Sequence, residues 1–84
     1  MSAAPFRLSV RFFAALREQA GCSRLEIETA AATPAELYAE LQRRHALVFP
    51  ATLLRVAVND GYAEMSTPLA PGDRVVFIPP VAGG

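Results

Sequence analysis

The sequence predicts an α+β domain in which one mixed sheet carries a single long helix across one face. Three observations lead there. Phe6 to Phe12 (Phe-Arg-Leu-Ser-Val-Arg-Phe) is apolar at every even position, the mark of a half-buried strand. Thr33-Pro34-Ala35-Glu36 places an N-cap residue, a proline at the first helical position and a capping-box glutamate in sequence, so a helix starts there. Arg74 to Ile78 (Arg-Val-Val-Phe-Ile) is apolar on both faces and belongs in a sheet centre, expected beside the first strand.

The remaining elements follow in order. The alternation of the first strand breaks at Phe13. Ala14 to Ala20 is rich in helix formers and stops at Gly21, a residue suited to a left-handed cap. Ser23 to Thr29 alternates again, with Leu25 and Ile27 expected inward and Glu26 and Glu28 outward. The long helix carries Leu37, Tyr38 and Leu41 on one face and is expected to fray near His45 or Ala46. Leu54, Val56 and Val58 alternate with polar or small residues up to Asn59-Asp60-Gly61, where the Asp-Gly pair predicts a tight reversal. Tyr62 to Met65 reads as a short return strand, Pro71-Gly72-Asp73 as a second turn, and Pro79-Pro80 ends the last strand because neither residue has an amide donor. A strand–helix–strand crossover amid short hairpins makes this a β-grasp, or ubiquitin-like, arrangement.

Composition bounds the function. At 84 residues the chain is one domain, 1–84, and 52% hydrophobic against 19% charged residues argues for a packed globule rather than disorder. The longest apolar run is far too short to span a membrane, and Met1-Ser2-Ala3-Ala4-Pro5 lacks the features of a secretory signal, so a cytoplasmic protein is expected. The net charge is zero, and the eight basic residues are all arginines. They are scattered, with only Arg43 and Arg44 adjacent, which argues against nucleic acid as a partner.

No internal catalytic constellation is visible. Cys22 and His45 cannot build a four-ligand zinc site, so no metal is expected. His45, the only possible imidazole base, lies near a helix end where the dipole favours it, and Cys22 follows a glycine with no base beside it. Glu26 and Glu28 share a solvent face and read as solvated strand residues. The five glycines are dispersed, which excludes a phosphate-cradling loop.

What remains is Gly83-Gly84, the last two residues of the sequence. The proline pair is expected to project residues 79–84 off the globule, with a reach of at most about 20 Å. Glycine lacks Cβ, so its backbone passes through a channel too narrow for other residues. A carboxylate delivered into another protein's active site is the reactive group such a tail offers, and a carboxylate needs activation, most simply by adenylation.

Phe12-Phe13-Ala14-Ala15-Leu16-Arg17-Glu18, Val56-Ala57-Val58-Asn59, Leu69-Ala70-Pro71-Gly72-Asp73-Arg74-Val75 and Phe77-Ile78-Pro79-Pro80-Val81-Ala82-Gly83-Gly84 together resemble the small subunits of molybdopterin synthase, the MoaD family. The resemblance spans essentially the whole chain, although Gly21 to Leu54 carries no family signature. It implies a sulfur carrier that binds no cofactor of its own. An E1-like adenylyltransferase would use ATP and magnesium to adenylate Gly84. Sulfur from a persulfide donor would then leave a thiocarboxylate, which the large synthase subunit transfers to cyclic pyranopterin monophosphate. Pro79, Pro80, Val81, Ala82 and Gly83 would thread into that subunit, in a heterotetramer of two small and two large subunits. The synthase active site would lie mainly on the large subunit.

Phe13, Tyr62, Ile78 and Val76 carry two readings. One is ordinary packing of a second sheet face under the Ala14–Ala20 helix; the other is an apolar docking patch around the tail. The resemblance implies docking, with Phe13, Tyr62 and Ile78 as contacts for the large subunit. The functional alternatives are a sulfur carrier for thiamine, cysteine or tRNA thiolation, a ubiquitin-like protein modifier joined through Gly84, and a plain interaction domain indifferent to loss of Gly84.

Overall fold

The computed structural model describes residues 5–80; Val81, Ala82, Gly83 and Gly84, which carry most of the expectations about the tail, lie outside the described residues. Strand β1 is Phe6–Phe12 and α1 is Ala14–Ala20, closed by Gly21 at φ 79°. Strand β2 is Arg24–Thr29 and α2 is Pro34–His45. A one-turn 3₁₀ helix, Ala51–Leu53, precedes β3 (Arg55–Val58), β4 (Gly61–Ala63) and β5 (Arg74–Ile78).

These strands form one sheet in the order β2-β1-β5-β3-β4. Only β1 and β5 run parallel, with Val10 beside Val75 and Phe12 beside Phe77; every other pair is antiparallel. The strand apolar on both faces therefore occupies the centre, next to the first strand, in the β-grasp arrangement. Both of its edges are hydrogen-bonded, so neither of its faces needs charged residues to discourage pairing with another chain.

One face of the sheet supplies the core. Leu8, Val10, Phe12, Ile27, Val56, Val75 and Phe77 are buried there beneath Leu37, Tyr38 and Leu41 of α2 and Leu16 of α1. Each fully buried side chain of this size contributes about 1.5–3 kcal/mol relative to exposure. The Tyr38 ring lies 5.2 Å from that of Phe77, tilted by 54°, so α2 is keyed directly onto the central strand. Burial pushes the Tyr38 phenol above its ordinary value of 10.0. Its contribution is therefore fully present below that pH and is lost as pH rises through the raised folded value.

The caps of α2 follow from the residues at its ends. Thr33 Oγ1 accepts the Glu36 N–H at 3.3 Å, while the Glu36 carboxylate reaches back to the Ala32 N–H at 2.9 Å. The reciprocal contact thus lands one residue before the N-cap. At the other end Ala46 adopts φ 55°, a left-handed conformation that costs a Cβ-bearing residue about 1–2 kcal/mol. Arg43, Arg44 and His45 occupy the last turn, where the helix dipole favours cations.

Several expectations are corrected in detail. The short helix expected over Ala14–Ala20 forms as α1 and buries Leu16 beside the long helix. The reversal after β3 is built on Asn59 and Asp60, at φ 52° and 72°, whereas Gly61 already pairs with Val58 inside β4. A two-residue turn with positive φ at both positions matches the twist of the flanking strands, and Asn and Asp tolerate it. The return strand accordingly covers Gly61–Ala63 rather than Tyr62 to Met65. Thr29 is buried as well as Ile27; its hydroxyl donates to Glu40 Oε1 at 2.6 Å and accepts the Ala31 N–H at 3.0 Å. Pro79 is buried and Pro80 exposed, so the chain leaves the globule one residue later than the proline pair implies.

Two outcomes check this account. Phe12→Ala should destabilise by about 3–5 kcal/mol in denaturant unfolding through the cavity it leaves. Ala46→Gly should stabilise by about 0.5–1 kcal/mol, because glycine accepts the left-handed cap without Cβ strain.

Candidate functional site

The sheet face opposite the helices has no element packed upon it among the strand pairings and core contacts described above. Strand alternation puts Arg7, Ser9 and Arg11 of β1, Val76 and Ile78 of β5, Ala57 and Arg55 of β3, and Tyr62 of β4 on this face. The register aligns them in rows across the strands. One row runs Arg24, Arg11, Val76, Ala57, Tyr62. In the next, Ile78 lies opposite Arg55, and the parallel register carried one residue further brings Phe13 alongside Ile78.

Phe13 is not a strand residue gone astray. It is the N-cap of α1, still extended at φ −122° and ψ 154°, so its ring leaves on the face opposite Phe12. The ring is 42% exposed and the Arg11 guanidinium sits over it, 5.6 Å from the centroid. The Ala14–Ala20 helix therefore does not cover it. Tyr62 is 79% exposed, while Val76, Ala57 and Ile78 are half-buried. Phe13 and Tyr62 sit three strand spacings apart, about 14 Å. Between them lies a low apolar floor with an aromatic ring at each end, ending where β5 passes into Pro79 and Pro80.

The arginines of this face differ in their pairing, and Glu26 and Glu28 of β2 share the face. Arg7 pairs with Glu26 at 3.8 Å, and Arg74 pairs with Asp60 at 2.6 Å. Arg11, Arg24 and Arg55 have no ion pair among the described residues. The face thus combines exposed apolar area with unpaired positive charge, the combination expected of a surface that meets a protein with carboxylates of its own.

The structure brings Phe13, Tyr62 and Ile78 onto one face, as the docking reading requires. It adds Ala57 and the three arginines, which were readable from alternation in β1 to β3 once the register was known. Leu53, 54% exposed on the 3₁₀ turn, had no periodic signal to mark it. Elsewhere the groups are structural. His45 packs its ring 6.4 Å from Phe12, Cys22 is a half-buried free thiol, and the described residues contain no group of three or more His, Cys, Asp or Glu placed to hold a metal ion. No helix of the described residues is long and apolar enough to cross a membrane.

Known proteins share both the fold and the sequence. The ThiS family profile matches residues 10–84. The molybdopterin synthase sulfur carrier subunit of Escherichia coli is 36% identical over 80 residues, covering 92% of this chain and 99% of that protein. Among solved structures, subunit 1 in the complex of subunits 1 and 2 of the molybdopterin-converting factor from Helicobacter pylori aligns at 31% identity and TM-score 0.66, over 94% of this chain and 100% of that one. SAMP1 from Haloferax volcanii aligns at 26% identity and TM-score 0.77, over 93% and 99%. Fold and sheet order together define a ubiquitin-like β-grasp protein with an open sheet face beside β5. The chain belongs to the ThiS family and, within it, to the molybdopterin synthase sulfur carrier subunits.

If the open face is free surface, Phe13→Ala should change unfolding stability by less than about 1 kcal/mol, in contrast to its neighbour Phe12. A loss as large as that of Phe12→Ala would place Phe13 in the core.

Proposed function

We propose that this chain serves as the sulfur carrier of a molybdopterin synthase, delivering sulfur as a thiocarboxylate on Gly84. The full-length similarity to the Escherichia coli sulfur carrier subunit is the observation that carries this reading. Three features of the chain support it. In sequence the central strand β5, paired on both edges, is followed directly by Pro79-Pro80-Val81-Ala82-Gly83-Gly84. The apolar face with Phe13, Tyr62 and Ile78 borders that exit and supplies a docking surface. The last two residues of the sequence, Gly83 and Gly84, carry no Cβ and so suit passage through a narrow channel.

In this mechanism an E1-like adenylyltransferase uses ATP and magnesium to convert the Gly84 carboxylate to an acyl adenylate, giving the otherwise unreactive carboxylate a leaving group. The outer sulfur of a persulfide donor attacks the acyl adenylate and expels AMP, and a thiol then cleaves the resulting acyl disulfide, leaving a thiocarboxylate on Gly84 and a disulfide on the donor side. The resulting thiocarboxylate is a soft anion and enters the active site of the large subunit, where it sulfurates cyclic pyranopterin monophosphate. Two sulfurs build each dithiolene, so the carrier is recharged between uses. Pro79 and Pro80 stiffen the base of the tail, Val81 and Ala82 extend it, and Gly83 threads the narrowest part of the partner's channel. The working assembly is a cytoplasmic heterotetramer of two small and two large subunits.

The likeness to SAMP1 favours a second reading, a protein modifier joined through Gly84. Isopeptide-linked adducts on target lysines in cells would be its signature, and their absence leaves the carrier.

Incubation with the E1-like enzyme, ATP, magnesium and a sulfur source should raise the intact mass by the difference between sulfur and oxygen. Deleting Gly84 should abolish both that shift and molybdopterin formation while leaving the fold intact, since terminal residues contribute little packing. Gly83→Ile should leave stability unchanged and strongly slow activation or transfer, because a β-branched side chain does not fit a channel shaped for glycine. Phe13→Ala should weaken binding to the large subunit by about tenfold or more.

A further inference from the structure

Beside the point where the chain leaves the sheet lies a groove of about 620 Å³. It is lined by Leu53, Arg55, Tyr62, Ile78, Pro79 and Pro80, among others, with Arg55 on β3 between the strands that carry Tyr62 and Ile78. Its make-up is unusual for surface that stays in water. Leu53 is more than half exposed, although the next residue, Leu54, is buried in the core. The 3₁₀ turn that presents Leu53 is closed by the Leu53 N–H to Pro50 carbonyl bond and the Leu54 N–H to Ala51 carbonyl bond, each 3.1 Å. The leucine is thus held out on a short hydrogen-bonded turn. Arg55 at the groove has no ion pair among the described residues.

We propose that this groove is a second recognition site for the large synthase subunit, taking an apolar side chain flanked by a carboxylate, with Leu53 and Arg55 as the residues that read them. The inference rests on the reading that Gly84 reacts in that subunit. Gly84 lies four residue steps beyond Pro80, a span of at most about 14 Å. A partner that reaches Gly84 must therefore bring its own wall to the neighbourhood of Pro80. An interface of ordinary size covers about 800 Å² on each side, so a partner seated on the Phe13–Tyr62 floor and reaching past Pro80 also covers the groove.

The two surfaces are continuous, because Tyr62 and Ile78 belong to both. The chemistry of the occupant follows from the lining. Leucine, isoleucine, tyrosine and two prolines offer apolar contact, and a guanidinium offers a bidentate fork matched to a carboxylate. A second copy of this chain suits the site poorly, since a two-fold contact through the groove sets Arg55 near its own equivalent, with Arg11 and Arg24 adding like charge.

The test measures binding of the full-length chain to its purified large subunit by calorimetry, with thermal unfolding of each variant alongside. Leu53→Ser should weaken binding by about fivefold or more and Arg55→Glu by about tenfold or more, with the Arg55→Glu complex also less sensitive to salt. Both positions are exposed, so melting should be unchanged; if one variant fails to fold, the other decides. Leu53→Met should restore binding and thereby support apolar recognition. Wild-type binding by both Leu53→Ser and Arg55→Glu, with Phe13→Ala still impaired, would overturn the groove while leaving the carrier reading in place. Failure of the wild-type chain to bind the large subunit at all would overturn both. Self-association that Leu53→Ser abolishes, seen by sedimentation without the large subunit, would assign the groove to a second copy and overturn the proposal.

Discussion

The parallel pairing of β1 with β5 joins the two ends of the chain and holds the two hairpins of the molecule in one sheet. Within the sheet β2 pairs with β1 and β4 with β3, so β5 is the strand that bridges the two halves. On its core side Val75 and Phe77 are completely buried, with Val10, Phe12 and Val56 beside them and the Tyr38 ring above. The turn that feeds β5 is pinned to its neighbours as well. The Gly72 N–H reaches the Arg7 carbonyl at 2.8 Å, and the Ser9 N–H reaches the Asp73 carbonyl at 3.0 Å. Asn59 links the same region to β3, accepting the Arg74 N–H through its side chain and donating its own N–H to the Arg74 carbonyl. Such pairing is among the last to be rewarded during folding, because the whole intervening chain must be closed first.

That constraint also separates the two faces of β5. The core face must be apolar to hold α2. The open face could have been polar without harm to the core, yet Val76 and Ile78 are apolar and lie between the Phe13 and Tyr62 rings. In the proposed role the carrier docks and is released for recharging, which a small apolar floor beside arginines would serve: the floor would supply contact, and the charges would favour one orientation and speed encounter. The proposed groove at Leu53 would extend that surface beside Pro79 and Pro80.

The segment between α2 and β3 shows how such a surface is supported. It has no periodicity, yet it is firmly anchored. Leu47 is buried, the Tyr38 hydroxyl donates to the Phe49 carbonyl at 2.7 Å, and the Gln19 side-chain carbonyl accepts the Val48 N–H at 2.9 Å. The Gln42 amide reaches the Leu47 and Phe49 carbonyls at 3.4 and 3.3 Å. Side chains from both helices thus satisfy backbone groups that no sheet ladder or helix pairs, and the 3₁₀ turn carrying Leu53 starts from this fixed base.

Local chemistry determined a great deal by itself. Alternation marked Phe6–Phe12 and placed Leu8, Val10 and Phe12 inward; Thr33-Pro34 and Glu36 set the start of α2; Gly21 marked a left-handed cap and Pro71-Gly72-Asp73 a turn; and the doubly apolar Arg74–Ile78 announced a central strand. Each of these is legible because its cause lies within a few residues. The positions settled only by tertiary structure depend on distant partners. Whether Asn59-Asp60 or Asp60-Gly61 forms the turn depends on the register of β3 with β4. The burial of Thr29 depends on Glu40, eleven residues away. The exposure of Phe13, the alignment of Ile78 with Arg55 and the presentation of Leu53 depend on β5 lying between β1 and β3. A sequence states which face of a strand is apolar, but only the assembled sheet decides which apolar face the helices cover and which is left for a partner.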